Sequence, residues 1–221
     1  MGTRKTGFLW AIPLLIAIFF LSFPAYAKYS GGTGEPNDPY QIANAEDLML
    51  LGENPEDYDK HFIMIDDIDL DPNLLGRKVF DRAIIGSSLF APFTGVFDGN
   101  GHVISNLNIQ HNGQGILFNA PIDFGLFGQL QSEAEVKNLG VADVNINISI
   151  SDNDYYKVGG IAGRNNGNVI QCYSTGSVRG GKFVGGLVGY NSGDVTVCYS
   201  GCAVTSICLL PDYTLRYWVP E

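Results

Sequence analysis

The sequence predicts an all-β chain wound as a β-solenoid (β-helix) with a short N-terminal capping helix, and three observations lead there. Val158-Gly-Gly-Ile-Ala-Gly163 recurs as Val184-Gly-Gly-Leu-Val-Gly189. The match continues through Asn165/Asn191, Gly167/Gly193, Val169/Val195, Cys172/Cys198 and Tyr173-Ser174/Tyr199-Ser200, every pair 26 residues apart. A fixed period in the twenties marks a repeat whose units bury their apolar faces only against neighbours. Short β-branched or aromatic pieces, 169–173 and 195–199, are separated by Gly/Asn/Ser clusters with no helical periodicity. At roughly 3.3 Å per residue, one period supplies two or three short strands and their corners. A β-sandwich of glycine-rich hairpins competes, but hairpins do not require identical spacing over a whole copy.

Residues 1–27 read as a secretory signal peptide. Arg4 and Lys5 form a basic start, 7–23 is almost entirely apolar, and Ala25-Tyr26-Ala27 is a small-x-small cleavage site. An uncleaved anchor is the competing reading, because the apolar run approaches a bilayer's thickness; Pro24 and the cleavage site favour removal. Cleavage leaves 194 residues from Lys28 and takes the formal charge from −10 to −12, since two bases and no acid are lost. Residues 28–75 read as an N-terminal capping segment. Asn44 caps a helix over 45–51 with Asp47 at N3, Leu48 and Leu51 on one face and Gly52 ending it, so that the helix covers the first coil. A strand follows with Ile68 and Leu70 inward and Asp67, Asp69 and Asp71 outward.

Residues 76–157 read as irregular coils with inserted loops. Phe93-Thr-Gly-Val-Phe-Asp-Gly-Asn-Gly-His-Val-Ile104 and Phe124-Gly-Leu-Phe-Gly128 with Val136-Lys-Asn-Leu139 are degenerate copies at spacings of about 30 to 35. After the turn dipeptides Asp98-Gly99 and Asn100-Gly101, Val103, Ser105, Leu107 and Ile109 alternate against Ile104, Asn106 and Asn108. Residues 158–208 hold the two regular repeats, whose glycines supply corners of positive φ. In-register coils make Cys172 and Cys198 neighbours, either as a disulfide or as an inward ladder of free thiols. The atypical segment 209–221 (Leu209, Leu210, Tyr213, Leu215, Tyr217, Trp218, Val219) either folds over the last coil or is the remnant of a truncated longer chain.

Gly34-Glu-Pro-Asn-Asp-Pro-Tyr-Gln-Ile42, Ile68-Asp-Leu70, residues 93–104, Gly125-Leu-Phe-Gly128 and the two V-G-G-[IL]-[AV]-G repeats resemble the GLUG-repeat secreted and surface proteins. Such repeats also occur in the non-catalytic region of immunoglobulin A1-type metallopeptidases. The resemblance, from about Gly31 to Tyr199, implies a β-helical, exported, adhesin-like protein at the cell surface or secreted, often part of a longer chain. It implies no peptidase site here.

Composition and motifs narrow the chemistry. Residues 28–157 carry 20 acids and 7 bases, net −13, whereas 158–221 carry 3 acids and 4 bases. A net charge of −10 argues against a nucleic-acid partner, and a membrane enters only through export. Gly176-Ser-Val-Arg-Gly-Gly181-Lys182 spells a phosphate loop, but Phe183 follows where a hydroxyl is needed. Asp67-x-Asp69-x-Asp71 opens like a calcium loop, but Pro72 and Lys78 occupy the positions of its glycine and its bidentate glutamate; weak calcium binding on that acidic face is the residual reading. His61, His102 and His111 are scattered, with no H-E-x-x-H, and Cys172, Cys198, Cys202 and Cys208 lack metal-ligand spacing. No catalytic residue, cofactor or metal is therefore assigned. The expected role is a non-enzymatic binding or adhesion-type module, with exposed Tyr and Asn residues meeting an extracellular glycan or protein surface. Tyr155 and Tyr156 are candidates, one buried and one exposed. The alternative is a polysaccharide hydrolase or lyase drawing carboxylates from Asp98, Asp123, Asp143, Asp152 and Asp154, because the regular coils hold only Asp194.

Overall fold

Short strands joined by tight corners pair only with strands from earlier or later passes of the chain, so the sheets are parallel. The computed structural model describes Gly2 and residues 27–88, 90–112, 123–149 and 156–206. The signal-like segment up to Tyr26, Asp152, Asp154, Tyr155, Cys208 and the 209–221 tail lie outside the described residues.

The first sheet stacks Tyr40–Ile42, His61–Met64, Val96–Asp98, Glu135–Lys137, Asn168–Ile170 and Asp194–Thr196 in chain order. The second stacks Ile68–Asp69, Val103–Ser105, Gly140–Ile148, Tyr173–Gly180 and Tyr199–Ser206, with Asn108–His111 also pairing on Gly140–Ile148. The third holds Asp123–Phe124, Lys157–Val158 and Phe183–Val184, and the fourth holds Phe127–Leu130, Ala162–Asn165 and Val188–Asn191. From Glu135 onward the chain visits these sheets in one fixed order, first, second, third, fourth. The register is the sequence period: Lys157 pairs with Phe183, Ala162 with Val188, Val169 with Val195 and Tyr173 with Tyr199. One circuit earlier the offset is larger, Val136 pairing with Val169 and Phe127 with Ala162. The extra length sits mainly at one corner, where the connection after the long strand is residues 149–156 in one circuit and 181–182 in the next.

The sheets share one apolar core in which Phe62, Phe93, Phe97, Phe124 and Phe127 are fully buried. Phe93 and Phe127 have ring centroids 5.3 Å apart, and Phe97 and Phe127 5.6 Å. Edge and tilted ring pairs of this kind add about 0.5–1.5 kcal/mol each beyond their burial.

Three local expectations are corrected. The helix is Ala45–Glu53, capped as expected by Asn44 Oδ1 accepting from Asp47 N at 2.9 Å. It does not stop at Gly52; Asn54 ends it, and Gly52 lies inside, where a Cβ would meet the carbonyl of Ile84. The alternation over 103–109 breaks at Asn106 (φ 60), so Ile104, Leu107 and Ile109 are buried while Val103 and Ser105 turn outward. Gly159, Gly160 and Gly163 do not have positive φ and serve close packing instead: a Cβ on Gly163 would lie 2.6 Å from Phe124 N and 2.7 Å from Asp123 Cβ. The left-handed corner before the second sheet is taken by Asn138, Gln171 and Val197, at φ 52, 52 and 55.

Candidate binding face

The second sheet carries the longest strands, and their alternation sets what faces outward. In Tyr173–Gly180, Ser174, Val178 and Gly180 are buried while Ser177 and Arg179 are exposed. In Gly140–Ile148, Val141, Val144, Ile146 and Ile148 are buried and Asn145 is exposed. A bulge interrupts this strand alone: Val141 to Val144 spans three residues against the two from Ser174 to Gly176, with Asp143 at φ 52 and Gly176 at φ 119. Gly176 is required there, since a Cβ would meet the backbone of Val144. The bulge keeps the apolar residues inward on both sides of the break, with Asp143 N donating to Thr175 Oγ1 at 3.1 Å.

Pairing then lines outward side chains into columns. Asn108, Asn145, Ser177 and Ala203 form one, and Gln110, Asn147, Arg179 and Thr205 the next. A third is aromatic. Tyr173 and Tyr199 stack with centroids 5.1 Å apart and planes within 5°, and the Tyr173 ring lies over Gly140, where a Cβ would come within 2.5 Å of it. Tyr199 is 63% exposed. Rungs rise about 4.8 Å and same-side residues recur at about 6.6 Å, so amides, hydroxyls and rings form a regular flat array. Asp69 and Asp143, acids of this sheet, stand on strands on either side of Val103–Ser105. Asp69 is occupied by Asn106 Nδ2 at 2.8 Å and Asp71 N at 2.9 Å, which hold its carboxyl below the usual range. Such a surface can hold a polar polymer by stacking and hydrogen bonds.

The other sequence candidates are dispersed. Tyr156 is buried, edge-on to Phe124 at 5.5 Å. Asp67 accepts from Val103 N at 2.9 Å and lies 3.1 Å from His102 Nδ1, which lowers its pKa; Asp71 Oδ1 accepts from Asn73 N. The acidic face is thus spent on local donors. Among the described residues no three His, Cys, Asp or Glu side chains are grouped as metal ligands. Asp98, Asp123 and Asp143 stand on the first, third and second sheets, and Asp98 Oδ1 accepts from Asn100 N and Asn138 Nδ2. Cys172, Cys198 and Cys202 are free thiols. Cys172 is buried, its N–H 3.3 Å from Cys198 Sγ, and burial pushes its pKa up to about 12. The phosphate-loop string runs along a strand and into another strand. A groove of about 340 Å³ between the helix and residues 78–84 was not foreseen; its lining mixes Glu53 and Asp81 with Lys78 and Arg82, balancing its charge. The outward columns were missed as well. Strand alternation in 173–180 was the available signal, and it runs unbroken through Gly176.

Residues 154–179 match the family described as the GLUG motif, and the same residues recur one period later in register. That stretch carries a GLUG motif. Over 152 residues, 67% of its length, the chain is 32% identical to Halomucin of Haloquadratum walsbyi, of which the match covers 2%. It also resembles a crystal structure of a chain described as an immunoglobulin A1 protease from Bacteroides ovatus, with a TM-score of 0.53 and 23% identity over 80% of this chain and 51% of that one. That second likeness is one of fold. The chain thus spans a small part of Halomucin and about half of the solved chain. Among its described residues, no helix is long and apolar enough to cross a membrane.

Proposed function

We propose that this chain is an exported, non-catalytic β-solenoid module of a longer secreted or cell-surface protein, and that it binds an extracellular glycan or protein surface through the outward face of its second sheet. The fixed order in which the chain visits four parallel sheets supports the solenoid, with the helix Ala45–Glu53 covering its first coil. The observation that carries the binding reading is the aromatic column Tyr173–Tyr199 beside the Asn145/Ser177 and Asn147/Arg179 columns. Tyrosines stacked in register with one exposed face give a rigid platform at low entropic cost. The GLUG match and the likeness to Halomucin favour surface location and a non-catalytic role. The dispersal of Asp98, Asp123 and Asp143 over three sheets weighs against a polysaccharide-cleaving site.

The test is binding of the exported chain to immobilised polysaccharides and surface proteins, with Tyr173→Ala/Tyr199→Ala beside the parent. A loss of about tenfold or more in affinity with melting retained is expected, as for central aromatic anchors. Unchanged binding would move the site elsewhere. The exported material should carry the mass of residues 28–221 and begin Lys-Tyr-Ser; full-length chain in membranes would instead favour an anchor.

A further inference from the structure

The two repeat copies diverge at the positions flanking the glycine hexapeptide, Lys157/Phe183 before it and Arg164/Tyr190 after it. Register stacks Asp123, Lys157 and Phe183 in one column and Gln129, Arg164 and Tyr190 in another. The columns touch across the glycine bend. Arg164 Nε donates to Asp123 Oδ2 at 3.1 Å, Lys157 Nζ lies 3.6 Å from Asp123 Oδ1, and the Phe183 and Tyr190 rings meet edge to face at 5.9 Å. Lys157 Nζ also sits 5.7 and 5.9 Å from those two ring centroids. Side-chain exposure rises from 0% at Asp123 through 11% at Lys157 to 24% at Arg164, and Tyr190 is 40% exposed.

We propose that this corner binds an acidic sugar, the carboxylate taken by Arg164 and the ring laid against Tyr190. Asp123 is the positioning residue. Among the described residues, the buried carboxylate of Asp123 is met by both Arg164 and Lys157, on a chain of net charge −10. Its hydrogen bond uses only Nε of Arg164, and the remaining guanidinium donors form a planar fork matched to a carboxylate. Gln129, 5% exposed and in register with Arg164, has a buried Nε2 without a hydrogen-bond partner beneath that column. Tyr190 supplies the amphipathic ring that a bare anion would not need. The site is separate from the Tyr173–Tyr199 face and does not rest on it.

Calorimetric titration of the exported chain with trigalacturonate, with a neutral galactose trisaccharide and with inorganic phosphate tests the proposal. Trigalacturonate should bind at least about tenfold more tightly than either control, and Arg164→Gln should remove about tenfold or more. Tyr190→Ala should weaken the acidic sugar and leave melting unchanged, and Tyr173→Ala should leave this titration unchanged. If Arg164→Gln unfolds, Arg164→Lys, which keeps the charge and loses the fork, should still weaken binding. Failure of trigalacturonate to bind, equal binding of the neutral sugar or phosphate, or indifference to Arg164 and Tyr190 would each overturn the assignment.

Discussion

The two copies of the repeat share sequence and register but not burial. Val169 is fully buried and Val195 is 40% exposed; Val178 is fully buried and Val204 is 46% exposed. The first copy is covered by Val188–Asn191, Asp194–Thr196 and Tyr199–Ser206, while the second has no described circuit above it. The same residues therefore reach different environments through their neighbours alone. A copy's stability belongs to the contact between circuits, as nearest-neighbour behaviour requires.

The comparison is tested hardest by truncating equivalent core residues. Ile161 is fully buried and its counterpart Leu187 only partly so. Ile161→Ala should cost about 3 kcal/mol, with a fall in Tm of roughly 6–12 °C, whereas Leu187→Ala should cost about half as much or less. Equal losses in thermal unfolding would show that the two copies are covered alike. The buried asparagine ladder comes next. Asn165 Nδ2 donates to Asn191 Oδ1 at 2.8 Å and its Oδ1 accepts from Gly167 N at 3.0 Å, whereas Asn191 is exposed and donates to Gly193 O at 2.9 Å. Asn165→Ala leaves buried groups unpaired and should cost about 2 kcal/mol; Asn191→Ala should cost about 1 kcal/mol or less.

The cysteines bring the same asymmetry to pH. Burial raises the Cys172 thiol from 9.0 to about 12. A raised folded pKa means that its contribution is intact below the unfolded value and is lost as pH climbs towards the folded one, because the unfolded thiol ionises first. Stability should therefore decline between about pH 9 and about pH 12 by up to about 1.4 kcal/mol per pH unit from this group. Cys172→Ala should flatten that limb of a pH-dependent denaturation series, and an unchanged slope would exclude the thiol as its cause. At neutral pH a maleimide should modify the partly exposed Cys198 and Cys202 well before Cys172.

How much could be read in advance follows the same division between inside and outside. The period, the parallel stacking of the copies, the Asn44 cap and the inward Ile68 and Leu70 were legible because each is set by residue type and spacing. The break at Asn106 and the bulge at Asp143 were not, since a single left-handed residue reverses the side on which every later residue of its strand falls. The Asp123–Lys157–Arg164 cluster was hidden for a different reason. Its members are 34 and 41 residues from Asp123 in sequence and meet only once the insertions have set the register. Asp123, named from sequence only among the candidate carboxylates of a polysaccharide-cleaving site, is buried, and burial pushes its carboxyl up against the pull of Lys157 and Arg164.

The smallest difference between the copies lies at their shared corner, where Gln171 in the first is replaced by Val197 in the second, both left-handed. Asn138 holds the equivalent place one circuit earlier. A β-branched side chain is poorly suited to that conformation, whereas Asn tolerates it through local hydrogen bonding. Val197 is 75% exposed, so little packing is lost when it is replaced. Val197→Asn should stabilise the chain by about 0.5–1 kcal/mol, a rise in Tm of roughly 1–4 °C. Gln171→Asn, relieving a smaller strain, should gain less. A lower Tm for Val197→Asn would show that the valine contributes contacts that its exposure does not reveal, and that the second copy is covered after all.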